Sequence, residues 1–479
     1  MKQQIFNPFM PSWEYVPDGE PHVFCDRLYL FGSHDRFNGT QFCMNDYVCW
    51  SCPVDDLSDW QCSGIIFRKT QDPYADENSI MQAPDVVQGK DGRFYLYYAL
   101  GMKPFVSVAV CDTPDGKYEY IGVVKYADGT PLGLRERDVF AFDPGLFLDD
   151  DGKCYLYVGF GPEENGLFAA ACKKYRMDGA YVLEMCDDML TIKEEPRRIL
   201  PKVSMAQGSG FEGHEFFEAS SMRKIGGRYY FIYSSILSHE LCYAVSDFPD
   251  RDFSFGGTIV SIGDIGYHGN QIPVNYMGNT HGSLVEVNGQ WYVFYHRQTN
   301  RHNFSRQGCA EPVTILPNGR IPQVEITSQG LNSRPLPGIG RYSAHIACNL
   351  RSKTGALTYG TASTPEAEDH PYLTQSGKDR ESEGDQYIAN IRDGATVGFK
   401  YFDLSRPTRI TLNLSGKCDG TIEIRSNSDA EAFCRIPVLA MDQPCDVSGS
   451  IPALTNSCAL YFTFVGKGYS NLHYFEFKA

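Results

Sequence analysis

No run of about 18 apolar residues occurs in this 479-residue chain, so no membrane span is expected. The opening MKQQIFNPFMPSWEY lacks both an apolar core and a small-residue cleavage site, unlike a secretory leader; with scattered thiols, that points to the cytoplasm. Basic residues are in deficit. Lys and Arg number 43 against 59 Asp and Glu, a formal charge of −16, with no basic cluster to meet a phosphate backbone. No nucleic acid and no membrane is expected as a partner; a neutral ligand suits this surface better. Helical periodicity of any length is nearly absent. The 16 cysteines lack metal-ligand spacing. Cys49 and Cys52 satisfy C-x-x-C, but they lie in a strand-like stretch with no second pair, so reduced, buried thiols are expected. Trp is scarce, at 4, whereas Tyr and Phe number 30 each, and those rings favour strands.

What is present is a repeat. An aromatic strand signature recurs five times: RLYLFGSHD from Arg27, RFYLYYAL from Arg93, KCYLYVGF from Lys153, RYYFIYSS from Arg228 and QWYVFYHR from Gln290. Four copies follow a turn signal (GKDG, DDDG, IGG and VNG), as a hairpin leading into an inner strand would. Sheets that cannot bury both faces alone close by radial repetition, which predicts a five-bladed β-propeller over residues 1–328. A large β-sandwich fits five related signatures less well. The stretch 329–365 reads as a connector. Short alternating runs over 366–479, among them RITLNLSG, GTIEIRS and CALYFTFVG, predict a separate β-sandwich. The class is all-β: a five-bladed β-propeller followed by a β-sandwich domain.

Propellers gather functional groups where blades converge, so acids at corresponding blade positions are the ones to seek. Asp18 precedes the first signature, Asp143 the third and Glu218 the fourth, each by 9 or 10 residues. Singly they read as a turn Asp, an Asp before Pro and a solvent-facing Glu. Together they place three carboxylates at one mouth.

The chain from Asn7 to about Thr327 resembles glycoside hydrolase family 43, whose catalytic domain is a five-bladed propeller. DGEPHVFCDRLYLFGSHD is similar to that family's opening motif, FDPGLFLDDDGKCYLYVG to its second acid motif and FFEASSMRKIGGRYYFIYSS to its general-acid motif. The resemblance implies Asp18 as general base, Asp143 as the residue that orients the acid, and Glu218 as proton donor. NTHGSL puts His281 on the family's central histidine, often near calcium, and SRQGCAEPV puts Arg306 near a substrate-contacting arginine. The family commonly has Asp-Pro at the opening motif; here Gly19 follows Asp18, which implies a looser turn. The C-terminal region more faintly resembles a family 6 type carbohydrate-binding sandwich, without a clear set of ligand aromatics; bracing the propeller and binding sugar both stay open for it.

The expected activity is an inverting exo-glycosidase releasing terminal α-L-arabinofuranosyl residues from plant-derived oligosaccharides. β-Xylosidase, β-D-galactofuranosidase and endo-arabinanase share the pattern, and a silent carbohydrate-binding propeller is the rival outside catalysis. Inverting hydrolysis needs one protonated carboxyl and one ionised carboxylate. Phe216 and Phe217 beside Glu218 would disfavour its ionised form, as would the Asp143 charge, while Asp18 in a polar turn would stay ionised. Trp13 is the expected sugar-stacking ring. The chemistry requires no cofactor. One histidine offers calcium no oxygen, so for His281 a water-bridged structural ion and an ordinary polar network with Asn275, Asn279 and Thr280 both stay open. Nothing in the chain fixes its oligomeric state.

Overall fold

A computed structural model describes residues 5–359, 364–381, 385–454 and 457–478. Each repeat folds as one antiparallel sheet whose strands follow chain order. The blades are Glu20–Phe24, Arg27–Phe31, Tyr47–Pro53 and Gln61–Phe67; Met81–Gln88, Phe94–Leu100, Val106–Cys111 and Glu119–Val123; Gly145–Leu148, Cys154–Phe160, Gly179–Glu184 and Arg197–Pro201; Phe216–Ile225, Arg228–Ser235, Glu240–Ser246 and Ser254–Ser261; then a three-stranded sheet of Leu284–Val287, Gln290–Gln298 and Arg306–Val313. Among the described residues no helix is long and apolar enough to cross a membrane.

The recurring aromatic signature is the second strand of every blade, not the innermost one. The reason is spatial. Successive blades touch through their first strands, where there is little room: a Cβ on Gly145 would stand 2.1 Å from the Ser220 carbonyl oxygen of the next blade. Farther out the blades splay, and large rings fill the gap. Alternate residues of Phe94–Leu100 serve two cores. Phe94, Leu96 and Tyr98 pack toward blade one, and Tyr95 and Tyr97 toward blade three. Three more such cores close the ring. Tyrosine suits these layers because its apolar body packs while its hydroxyl finds a partner at the layer's edge. Tyr98 donates to Asp72 Oδ2 at 2.6 Å and Tyr157 to the Pro249 carbonyl at 2.8 Å.

The same alternation settles the CWSC stretch. Cys49 and Cys52, three apart on one strand, face opposite cores, and all 16 cysteines are free thiols. The ring is closed by side-chain mimicry of a strand. Asn7 Oδ1 accepts the Ala310 N–H at 2.9 Å while its Nδ2 donates to the Ala310 carbonyl at 3.0 Å.

The C-terminal domain stacks two six-stranded sheets over one apolar core. The stretch 329–365 is more than a connector. Within it Leu336–Pro337 and Asn349–Arg351 pair with strand Thr396–Asp403, and Gly340–Ser343 pairs with Ser470–Lys478, so the sandwich recruits them as edge strands (residues 360–363 lie outside those described). A register shift between Phe399 and Phe402 pushes Lys400 out of its sheet and into the propeller. There its buried ammonium meets Glu325 at 2.8 Å and Asp264 at 3.3 Å.

Candidate active site

The first strand of a blade begins just after, or is bent at, a tight corner with a positive φ. In four blades the corner residue stands two positions before the one paired with the second strand: Asp18 (φ 55), Ala83 (φ 42), Asp143 (φ 45) and Ala219 (φ 69). Asp tolerates this left-handed region better than most residues. Asp18 and Asp143 therefore do occupy equivalent places, as their spacing implied. Glu218 does not. It stands one residue earlier, with Ala219 at the corner, so its longer side chain enters from a different backbone direction. Gly19 does not loosen its turn: it forms a parallel bridge to Gly282 of blade five, and a Cβ there would meet Leu30 Cδ1 at 2.9 Å.

Asp18 is buried beneath Arg306, whose Nη1 donates to Oδ1 at 2.9 Å. His296 Nδ1 lies 3.3 Å from the same oxygen and accepts the Asp18 N–H at 3.3 Å. Burial opposes ionisation of Asp18, but Arg306 and the neighbouring histidines outweigh it and hold the carboxyl at about 2. His296, fully enclosed, is driven down to about 3 by burial and then by the Arg306 charge, so it serves as a neutral hydrogen-bonding group. Arg306 is itself clamped by Asp35, with Nε to Oδ2 at 2.8 Å and Nη2 to Oδ1 at 3.0 Å.

Asp143 Oδ2 accepts the Ala219 N–H at 3.1 Å and stands 3.5 Å from His281 Nδ1. The other ring nitrogen of His281 is 4.0 Å from Glu20 Oε1. Burial disfavours the imidazolium, yet Asp143, Asp18 and Glu20 together raise His281 to about 9. Glu218 moves the opposite way from Asp18. Burial and then the Asp143 charge push it up to about 8, against the pull of His281 and Arg306. Its flanking rings divide the work: Phe216 is buried in the core between blades three and four, while Phe217 packs on Phe160 at 5.2 Å, beside Glu218.

The structure thus brings Asp18, Asp143, Glu218, His281 and Arg306 into one electrostatic cluster. Trp13 is placed differently. It is half-buried against Trp50 at 6.1 Å, with the Arg380 guanidinium over its ring at 5.6 Å, in the packing between blades five and one. Asp35, His296 and Glu20 escaped the sequence reading. Asp35 and His296 lie inside the quoted aromatic signatures, where they read as strand residues, and Glu20 two positions after Asp18; only their convergence marks them. Phe42, 4.6 Å from the Arg306 guanidinium and edge-on to Phe304, was likewise hidden in a loop.

Residues 25–321 match the model of glycosyl hydrolases family 43. The chain belongs to that family. It is a glycoside hydrolase. A "Xylosidase/arabinosidase" of Thermoclostridium stercorarium is 50% identical over 479 residues, 99% of each chain, so the likeness extends through the sandwich. A solved family 43 β-xylosidase/α-arabinofuranosidase from a compost microbial metagenome, in complex with xylotriose and in a calcium-free form, is 27% identical (TM-score 0.51) over 66% of this chain and 96% of that one. The fold of the whole chain is matched by an arabinoxylan arabinofuranohydrolase of Bacillus subtilis, 20% identical, TM-score 0.52, over 98% and 97%.

Proposed function

We propose that this hydrolase is an inverting exo-glycosidase removing terminal α-L-arabinofuranosyl residues from short oligosaccharides, with Asp18 as base and Glu218 as acid. The observation that carries it is the separation of two carboxyls in one site: Asp18 held at about 2 and Glu218 raised to about 8. Near neutral pH one is ionised and the other protonated, as inverting hydrolysis requires. Asp18 takes a proton from water as the water's oxygen attacks the anomeric carbon. Glu218 delivers its proton to the departing glycosidic oxygen, and the anomeric configuration inverts. Asp143 fixes the peptide after Glu218 and raises the acid's pKa. Arg306, buried and bonded through all three guanidinium nitrogens, keeps Asp18 ionised.

β-Xylosidase activity is the second reading, supported by the paired names of the relatives. The test is a panel of nitrophenyl glycosides (α-L-arabinofuranoside, β-D-xylopyranoside and β-D-galactofuranoside) with wild type, Asp18→Ala and Glu218→Ala. Asp18→Ala should abolish the preferred activity. Glu218→Ala should be hurt less, because nitrophenolate needs little protonation to leave. Wild-type turnover that survives Asp18→Ala would remove the base assignment, and the sugar cleaved fastest names the specificity.

Family 43 chemistry needs no cofactor, and calcium would serve electrostatics alone. The residues fit a hydrated cation: Glu20 Oε1 is buried without a hydrogen-bond partner, a hard oxygen facing His281 Nε2. Glu20 would hold such an ion through its hydration shell, adding positive charge to the carboxylate cluster; His281, raised to about 9, would offer its nitrogen only after releasing a proton. Calorimetric titration with Ca²⁺ of wild type and Glu20→Gln tests it; equal heats from both proteins would place any calcium elsewhere.

A further inference from the structure

The turn after strand Tyr372–Gln375 of the sandwich is docked onto the propeller segments that carry the base. Gln375 Oε1 accepts the Tyr15 hydroxyl at 2.8 Å. Asp379 accepts the Phe37 N–H at 2.7 Å and Asn45 Nδ2 at 3.1 Å. Arg380 Nη1 donates to both oxygens of Glu14, at 2.9 and 2.8 Å, and the Glu14 side chain has no solvent exposure. Glu14 and Tyr15 lead directly into Asp18. Phe37 and Asn45 belong to the loop that opens with Asp35, whose N–H donates to the Tyr15 carbonyl at 2.9 Å. One turn of the second domain therefore braces both segments that fix the Asp18–Arg306–Asp35 cluster.

A second segment reaches the acid's side. Met277 donates to the Leu357 carbonyl and Tyr359 to the Met277 carbonyl, each at 2.8 Å, four residues before His281. Tyr359 is left 48% exposed, a large ring presented to solvent. Burial of the phenol end and then the Glu218 charge oppose its ionisation, and Arg306 favours it. Glu218 protonates the leaving-group oxygen, so a ring on its side meets the sugar that departs. Exposed aromatic faces are suited to the C–H face of a pyranose or furanose.

We propose that the sandwich domain is a working wall of the substrate site, Tyr359 contacting the leaving-group sugar and Arg380 positioning the segment that bears Asp18. This rests on the assignment of Asp18 and Glu218 given above. The test uses the full chain and two substrates sharing one glycosyl unit: the disaccharide that wild type cleaves, and the glycosyl fluoride, whose leaving group fills no sugar subsite and needs little help from an acid. Tyr359→Ala should raise KM for the disaccharide about ten-fold and leave the fluoride unchanged. Arg380→Ala should lower kcat on both, and Arg380→Lys, which keeps the charge on Glu14, should recover most of it. Equal effects of Tyr359→Ala on both substrates, or none, would overturn the leaving-sugar contact. Wild-type kcat in Arg380→Ala, or no recovery in Arg380→Lys, would overturn the positioning role. Glu218→Ala run in parallel separates the layers: it should lose the disaccharide and keep the fluoride, and if it keeps both, the acid assignment falls and takes the placement of Tyr359 with it.

Discussion

Asp143 Oδ2 accepts the Ala219 N–H at 3.1 Å, tying a carboxylate of blade three to the peptide unit that directly follows Glu218 in blade four. The bond sets where the Glu218 backbone sits, and the charge that makes it also raises the Glu218 pKa. One side chain thus fixes the place of its neighbour and adds to the burial that keeps it protonated.

Asp143→Asn should therefore move the alkaline limb of the pH–rate profile. On the mechanism proposed above Glu218 acts protonated, so activity should fall as pH rises through its pKa, pushed up to about 8 by burial and the Asp143 charge. With the Asp143 charge gone, that pKa drops and the limb shifts to lower pH. A kcat/KM profile between pH 5 and 10 reads it, and an alkaline limb left in place would assign the shift to burial alone.

Arg306→Met should act on the acid limb. Arg306 lowers the pKa of Asp18, the proposed base in its ionised form, so removing the guanidinium should raise that pKa and move the acid limb upward. Stability follows the same sign. A carboxyl depressed to about 2 stabilises the fold above its unfolded value of ~3.9, and that contribution is lost as pH falls through the folded pKa. Arg306→Lys should rescue poorly, because a single ammonium cannot clamp Asp35 through two nitrogens while reaching Asp18. Urea unfolding of wild type and Arg306→Met at pH 7 and pH 2 spans that window and measures the stability part.

Lys400→Met should loosen the junction between domains. Its loss leaves Asp264 and Glu325 facing one another, and breaking a buried ion pair from one side costs about 3–5 kcal/mol. Calorimetry should show a lower Tm, with kcat on small substrates little changed below the transition.

Asn7→Ala should open the ring seam. The side chain makes paired hydrogen bonds with Ala310, and deleting it strands a buried donor and acceptor, worth about 1–3 kcal/mol each. Hydrogen exchange should rise first along Arg306–Val313.

Much of this was legible in the chain. The five aromatic signatures gave the blade number because a strand buried on both sides must carry rings on alternating faces, a pattern local sequence displays. The acids at 9 or 10 residues before a signature were visible for the same reason: a short hairpin keeps the distance from corner to second strand nearly constant. What the tertiary structure decided is everything that depends on adjacency across the ring. That Glu218 sits one residue off the corner shared by Asp18 and Asp143 follows from a bulge, which spacing alone does not show. That His296, Asp35 and Glu20 belong to the same cluster follows from closure, which joins residues hundreds of positions apart. Trp13 illustrates the converse: five residues before Asp18 in sequence, it is turned into the packing between blades. Local pattern fixes which strands form and where they turn; the electrostatics of a site arise from which side chains share one buried volume, and only the folded chain determines that.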